Sequence, residues 1–187
     1  MKLCKYLLWL VLVATAANLS AQQPGRVTAR SVHKIVAAHR QLYGMSCIPM
    51  SVELVLKHHH KVSPAYYDLQ HGWQNKADGS FADFDGKTLA GLKFRHQFGR
   101  PRGEGFPFDE LFKVIDNELD AGRKVIISLP SGYNFWHMYV IDARTAQNDY
   151  RAYSRHFEND KPLVLEGVKG LIFGAGGTDI MTYRVVR

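Results

Sequence analysis

The chain has 187 residues, 46% apolar and 22% charged, a balance that fits one globular domain with a full core and excludes both a disordered chain and two comfortable domains. Its formal charge of +7 favours anionic partners such as cell-envelope polymers or acidic peptides. No dense Lys/Arg stripe or nucleic-acid reader motif accompanies that charge, so nucleic acid is not an expected partner.

The first 22 residues have the three-part layout of a secretory signal. Lys2 and Lys5 open it, an apolar run from Leu7 to Ala17 follows, and Asn18 to Gln22 supplies a small, polar cleavage region. The apolar run is too short for a permanent membrane span. We therefore expect an exported, periplasmic or extracellular protein whose mature domain covers 23–187, with a charge of +5 once Lys2 and Lys5 are gone. Cys4 leaves with the signal and Cys47 remains as a lone thiol, which cannot close an internal disulfide. Burial as a small apolar side chain is one use for it and chemistry is the other.

In the mature domain, residues 29–40 carry a weak helical pattern and Gln41 to Ser46 break it at Gly44. The clearest helix then begins at Cys47. Ile48, Val52, Val55 and Leu56 recur at helical spacing, and Pro49 occupies the first turn, where a missing N–H costs nothing. It is expected to fade near His58 to Lys61. From Gln70 to Gly105 the chain reads as irregular connections with one short helix around Lys87 to Leu92. A second helix is predicted over Asp109 to Asp120, stopped by Ala121-Gly122. The β-branched run Lys124 to Leu129 predicts a buried strand. Further strands are expected over His137 to Ala143, Tyr150 to Ser154, Leu163 to Val168 and Ile180 to Val186. Gly174 to Thr178 lacks the Lys-Ser/Thr ending of a phosphate loop and reads as a hairpin turn. Helices first and antiparallel strands later define an α+β domain.

A thiol attacks as its thiolate, and a helix start favours the charged form through unpaired N–H groups. Cys47 sits at such a start. The imidazole that would deprotonate it and later protonate the leaving amine is best supplied by His137, which opens a strand directly after a loop. Phe135 and Trp136 beside it are placed to shield the pair from water. His58, His59 and His60 are consecutive and cannot share one helix face, so they read as a solvated helix end rather than a metal site. His33, His39, His71, His96 and His156 read as surface residues. The backbone N–H of Cys47 and the side-chain amide of Gln41 are the candidate donors to an oxyanion.

Gln41…Cys47-Ile48-Pro49-Met50-Ser51 and the apolar helix behind it resemble the nucleophile region of the double-glycine leader peptidases, members of the papain-like superfamily. The later stretches Phe108-Asp109-Glu110-Leu111, Asp120 to Ile127 and His137 to Ile141 are similar in order and spacing, so the likeness spans Gln41 to Ser154. It implies a papain-like fold in which a helical lobe carries Cys47 and an antiparallel sheet lobe carries His137. It further implies Cys47 as nucleophile, His137 as general base and acid, Gln41 in the oxyanion hole, and hydrolysis of peptide or protein substrates without metal or organic cofactor. Two positions depart from the pattern. Ile48 replaces the frequent glycine after the cysteine, and the Asp or Asn expected on the strand after the histidine is absent. Ser154 is the candidate third member there, ahead of Asp142 and Asn148. A monomeric exported cysteine peptidase is the first reading. A papain-like module that binds peptides with little or no turnover, or a wall-directed Cys-His amidase, are the others.

Overall fold

The computed structural model describes residues 31–132 and 135–186. Residues 1–30, which include the stretch 1–22 expected to act as a secretory signal and Cys4 within it, lie outside the described residues. Among the described residues no helix is long and apolar enough to cross a membrane.

In chain order the elements are α1 (His33–Ala38), α2 (Cys47–His58), α3 (Asp68–Trp73), a short 3-10 helix (Phe81–Phe84), β1 (Thr88–Leu89), β2 (Leu92–Gln97), α4 (Phe108–Asp120), β3 (Val125–Pro130), β4 (Trp136–Arg144), β5 (Tyr150–Ser154), β6 (Leu163–Leu165), α5 (Val168–Gly174) and β7 (Ile180–Val185). The strands form one sheet in the order β1-β2-β7-β3-β4-β5-β6, and every pairing in it is antiparallel. The protein is α+β.

The two faces of the sheet explain the sequence pattern. Ile126, Met138, Val140, Met181 and Tyr183 pack with Val52, Val55 and Leu56 of α2 in one core. Val125, Ile127, Leu129, Tyr139 and Ile141 pack with Leu111 and Ile115 of α4 and with Val168 and Ile172 of α5 in the other. Strands covered on both sides read as continuous apolar runs, because each residue finds a core whichever way it points. Helix α4 ends as its sequence suggests. Gly122 adopts φ +73°, the Arg123 N–H donates to Glu118 O and the Gly122 N–H to Leu119 O, the paired bonds of a Schellman end.

Three expectations are corrected. Lys87 to Leu92 is a hairpin rather than a helix, with β1 and β2 joined by Ala90 and Gly91 at φ +47° and +80°. Two successive positive φ values make the turn whose twist suits paired strands. The overlooked signal was alternation: Leu92 and Phe94 face the core while Lys93 and Arg95 are exposed. The stretch Leu163 to Val168 ends as a strand at Leu165, and α5 follows it, because Gly167 turns the chain at φ +73°. Val168 and Ile172, four apart and both buried, carried the helical period. Gly174 to Thr178 accordingly joins a helix to a strand and is not a hairpin turn. Gly177 is needed there, since a Cβ on it would lie 2.4 Å from the Phe106 ring.

Candidate active site

Cys47 occupies the first position of α2, and the loop before it is held by buried polar groups. Gln70 of α3 is fully buried. Its Oε1 accepts the Leu42 N–H and the Ser46 hydroxyl, each at 2.8 Å. Its Nε2 donates to Glu53 Oε2 at 2.7 Å and to the Arg40 carbonyl at 3.0 Å. Trp73 Nε1 donates to the Met45 carbonyl, so α3 pins the turn from both sides. Ser46 stands at the N-cap without capping the helix; its hydroxyl is spent on Gln70. The N–H groups of the first turn are therefore open to the cysteine sulfur.

Burial pushes the Cys47 thiol above its ordinary value. The backbone N–H groups of Met138, Ile48 and Cys47 all favour the thiolate, but burial outweighs them. The Met138 amide belongs to β4, one residue beyond His137, so α2 and β4 bring the two sequence-predicted positions to the same edge of the structure. The imidazole itself turns elsewhere. It lies on the same side of β4 as Tyr139, their ring centroids 5.4 Å apart, and Cys47 and His137 share no hydrogen bond among the described residues.

The His137 ring is fixed by β5. Nε2 lies 2.9 Å from Ser154 Oγ and 2.9 Å from the Arg155 carbonyl. A carbonyl only accepts, so in the neutral ring Nε2 carries the hydrogen and Nδ1 keeps the lone pair. Ser154 directs its own hydroxyl to Met138 O at 2.5 Å, leaving its oxygen to accept from the ring. Asp142 does not compete for His137. It pairs with Lys124 Nζ at 2.7 Å and accepts from Ser31 and the Val32 N–H. Asn148 sits in the loop before β5, donating its N–H to Thr145 O. Phe135 is exposed, and Trp136 is stacked under Arg102, whose guanidinium carbon lies 3.6 Å from the ring centroid.

Gln41 lies at the 43–44 turn. Its Nε2 donates to Tyr43 O at 2.8 Å and to Gly44 O at 3.0 Å, which uses both amide hydrogens, while its Oε1 is buried without a partner. In this arrangement Gln41 shapes the turn, and the backbone N–H groups of Met138, Ile48 and Cys47 are the donors that act on the sulfur.

Two histidine readings need correction. His39 and His58 are buried rather than on the surface. His39 Nδ1 accepts from Lys57 Nζ at 2.8 Å and its Nε2 faces Glu53 Oε2 at 3.3 Å, so the end of α1 and the inner side of α2 together hold a buried Lys57–His39–Glu53 chain. The spacing of Glu53 and Lys57, one helical turn apart, was visible in the sequence. That both point inward was not, because Ile48, Val52 and Val55 define a core stripe that excludes neither.

Burial, the leading cause in each case, lowers both His137 and His58 from 6.5 to about 4. Between those values the unfolded chain binds protons that the folded chain refuses, so this part of the stability is full above pH 6.5 and lost as pH falls towards 4. At its limit the loss is about 3 kcal/mol per residue. Urea midpoints measured from pH 7.5 to 4.5 should fall steeply before the carboxylates titrate, and His58→Gln should flatten part of the curve. An unchanged midpoint down to pH 5 contradicts the buried neutral state.

Comparison of the chain with family models, with curated proteins and with solved structures finds no match.

Proposed function

We propose that the protein is an exported cysteine peptidase of papain-like type, with Cys47 as nucleophile and His137 as its general base. One observation carries this reading: β5 holds the imidazole by Nε2–H, so its basic Nδ1 is the nitrogen left for the thiol. That is the tautomer proton abstraction from sulfur requires. Attack further requires the ring to leave Ser154 and the Arg155 carbonyl and reach the side of β4 on which Cys47 packs.

The thiol, raised by burial, and the imidazole, lowered by burial, both favour their neutral forms. Deprotonation therefore accompanies attack instead of preceding it, in place of a standing thiolate–imidazolium pair. Sulfur attacks the scissile carbonyl as its proton passes to Nδ1. The tetrahedral oxyanion is met by first-turn N–H groups, the imidazolium protonates the leaving amine, and water then hydrolyses the thioester. Ser154 and the Arg155 carbonyl act as positioning groups, replacing the missing carboxylate or amide.

Alkylation of the purified protein by iodoacetamide across pH 5–10 tests the pairing. Cys47 should react along a curve displaced above the ordinary thiol range, and His137→Ala should slow it further at every pH below 9. If the variant's profile superimposes on that of the parent, the imidazole has no access to the sulfur.

The second reading is a peptide-binding module without turnover. It is favoured by the lack of a Cys47–His137 hydrogen bond and by the use of both Gln41 amide hydrogens within the turn.

A further inference from the structure

A cavity of about 660 Å³ opens between α1, the end of α2 and β5, and its lining includes none of Cys47, His137, Gln41 or Ser154. Ile35, Ala38, Val62, Pro64 and Tyr153 give it apolar walls. The ionisable side chains that line it, apart from the Tyr153 phenol, are all bases: Lys34, Lys57, His33, His39 and His60. Among the described residues no carboxylate lines it. The two acids behind the wall are already engaged, Glu53 by Gln70 and His39 and Asp142 by Lys124 and Ser31.

Lys57 decides the chemistry. The residue is buried, and its ammonium hydrogen-bonds to His39 Nδ1 and lies 4.0 Å over the Tyr67 ring. Neither contact is anionic, and an ammonium has three hydrogens to donate. Glu53 acts on the ammonium electrostatically without a direct contact, so a cation whose direct contacts among the described residues are an imidazole and an aromatic face is only partly compensated. An anion entering from the cavity completes its shell while an apolar body covers the walls. Desolvation holds Lys57 down at about 8, which agrees with a site that lacks a contacting negative charge.

The geometry points to a binding site for a small amphipathic carboxylate, its head on Lys57 and its hydrocarbon body along Ile35, Val62, Pro64 and Tyr153. This site stands independently of the peptidase reading. A headgroup charge matched to the Lys57 ammonium and an apolar wall are the features that orient such ligands in concave sites.

The test uses the mature protein with decanoate and decanol, each below its aggregation limit, followed by calorimetry and amide chemical shifts. Decanoate should bind at least tenfold more tightly than decanol, with shifts concentrated at residues 33–38, 57–64 and 153. In Lys57→Met, whose flexible apolar chain fills the same space, decanoate should lose at least tenfold in affinity while decanol stays within twofold. The proposal is overturned if the acid and the alcohol bind the parent alike, if the shifts lie elsewhere on the basic surface, or if decanoate does not bind at all. It is equally overturned if residues 23–30 or a second copy give nuclear Overhauser contacts to the cavity walls that decanoate leaves unchanged.

Discussion

Cys47→Ala is expected to abolish peptide hydrolysis, lowering kcat by about 10⁴-fold or more, because removal of a nucleophile leaves only the catalysis due to binding and oxyanion contacts. The fold should survive. Cys47 is half-buried at a helix start, where alanine is a good helix former, and the lost sulfur packs only at the margin of the α2 core. A fluorogenic peptide library assayed beside thermal melts separates the two effects. Parent and variant should melt within a few degrees of each other while only the parent cleaves. If the parent cleaves nothing and the alkylation curve of His137→Ala equals that of the parent, the binding-module reading takes over. If Cys47→Ala retains cleavage, the nucleophile lies elsewhere.

Glu53→Ala should cost about 3–5 kcal/mol, the range expected when one member of a buried charged network is removed and its partners stay behind. Glu53 is fully buried and accepts from the Gln70 N–H at 3.1 Å, from Gln70 Nε2 at 2.7 Å and from the His39 ring at 3.3 Å. Its loss strands those donors and removes the counter-charge to Lys57. Because Gln70 in turn holds Leu42 and Ser46, the consequence reaches the turn before Cys47. Glu53→Gln retains an acceptor oxygen, so it should cost less than half as much. Urea unfolding supplies the stability and iodoacetamide rates supply the state of the turn. Glu53→Ala should lower stability and change Cys47 reactivity together. A stability loss below about 1 kcal/mol, the scale of an ordinary hydrogen bond, sinks the network as an organising element.

The two variants differ in what they reveal. The first removes an atom proposed to react, and its signature is chemistry without a folding defect. The second removes a support, and its signature is a folding defect transmitted to chemistry.

How much of this protein was readable in advance varied along the chain, for physical reasons. Helices α2 and α4 and strands β3, β4, β5 and β7 follow from local period and from end signals such as Pro49 and Gly122, so composition and spacing sufficed. The β1–β2 hairpin and α5 did not follow, since their signals are short: four alternating residues in one, and Val168 with Ile172 in the other. Cys47 at a helix start and His137 at a strand start were accessible from local pattern, whereas Ser154 beside the imidazole was suggested only by the resemblance to the leader peptidases.

Local pattern carries the α+β plan, with Cys47 at a helix start and His137 at the head of a strand. Tertiary structure alone decided the electrostatics. Whether Cys47 and His137 favour their neutral forms, whether Gln41 spends its hydrogens on a turn, and whether His39, Glu53 and Lys57 form one buried chain all depend on burial and direction. Those are set by packing between elements distant in the chain. A period of 3.6 or 2 says which face a residue takes, but not what the facing element brings to it.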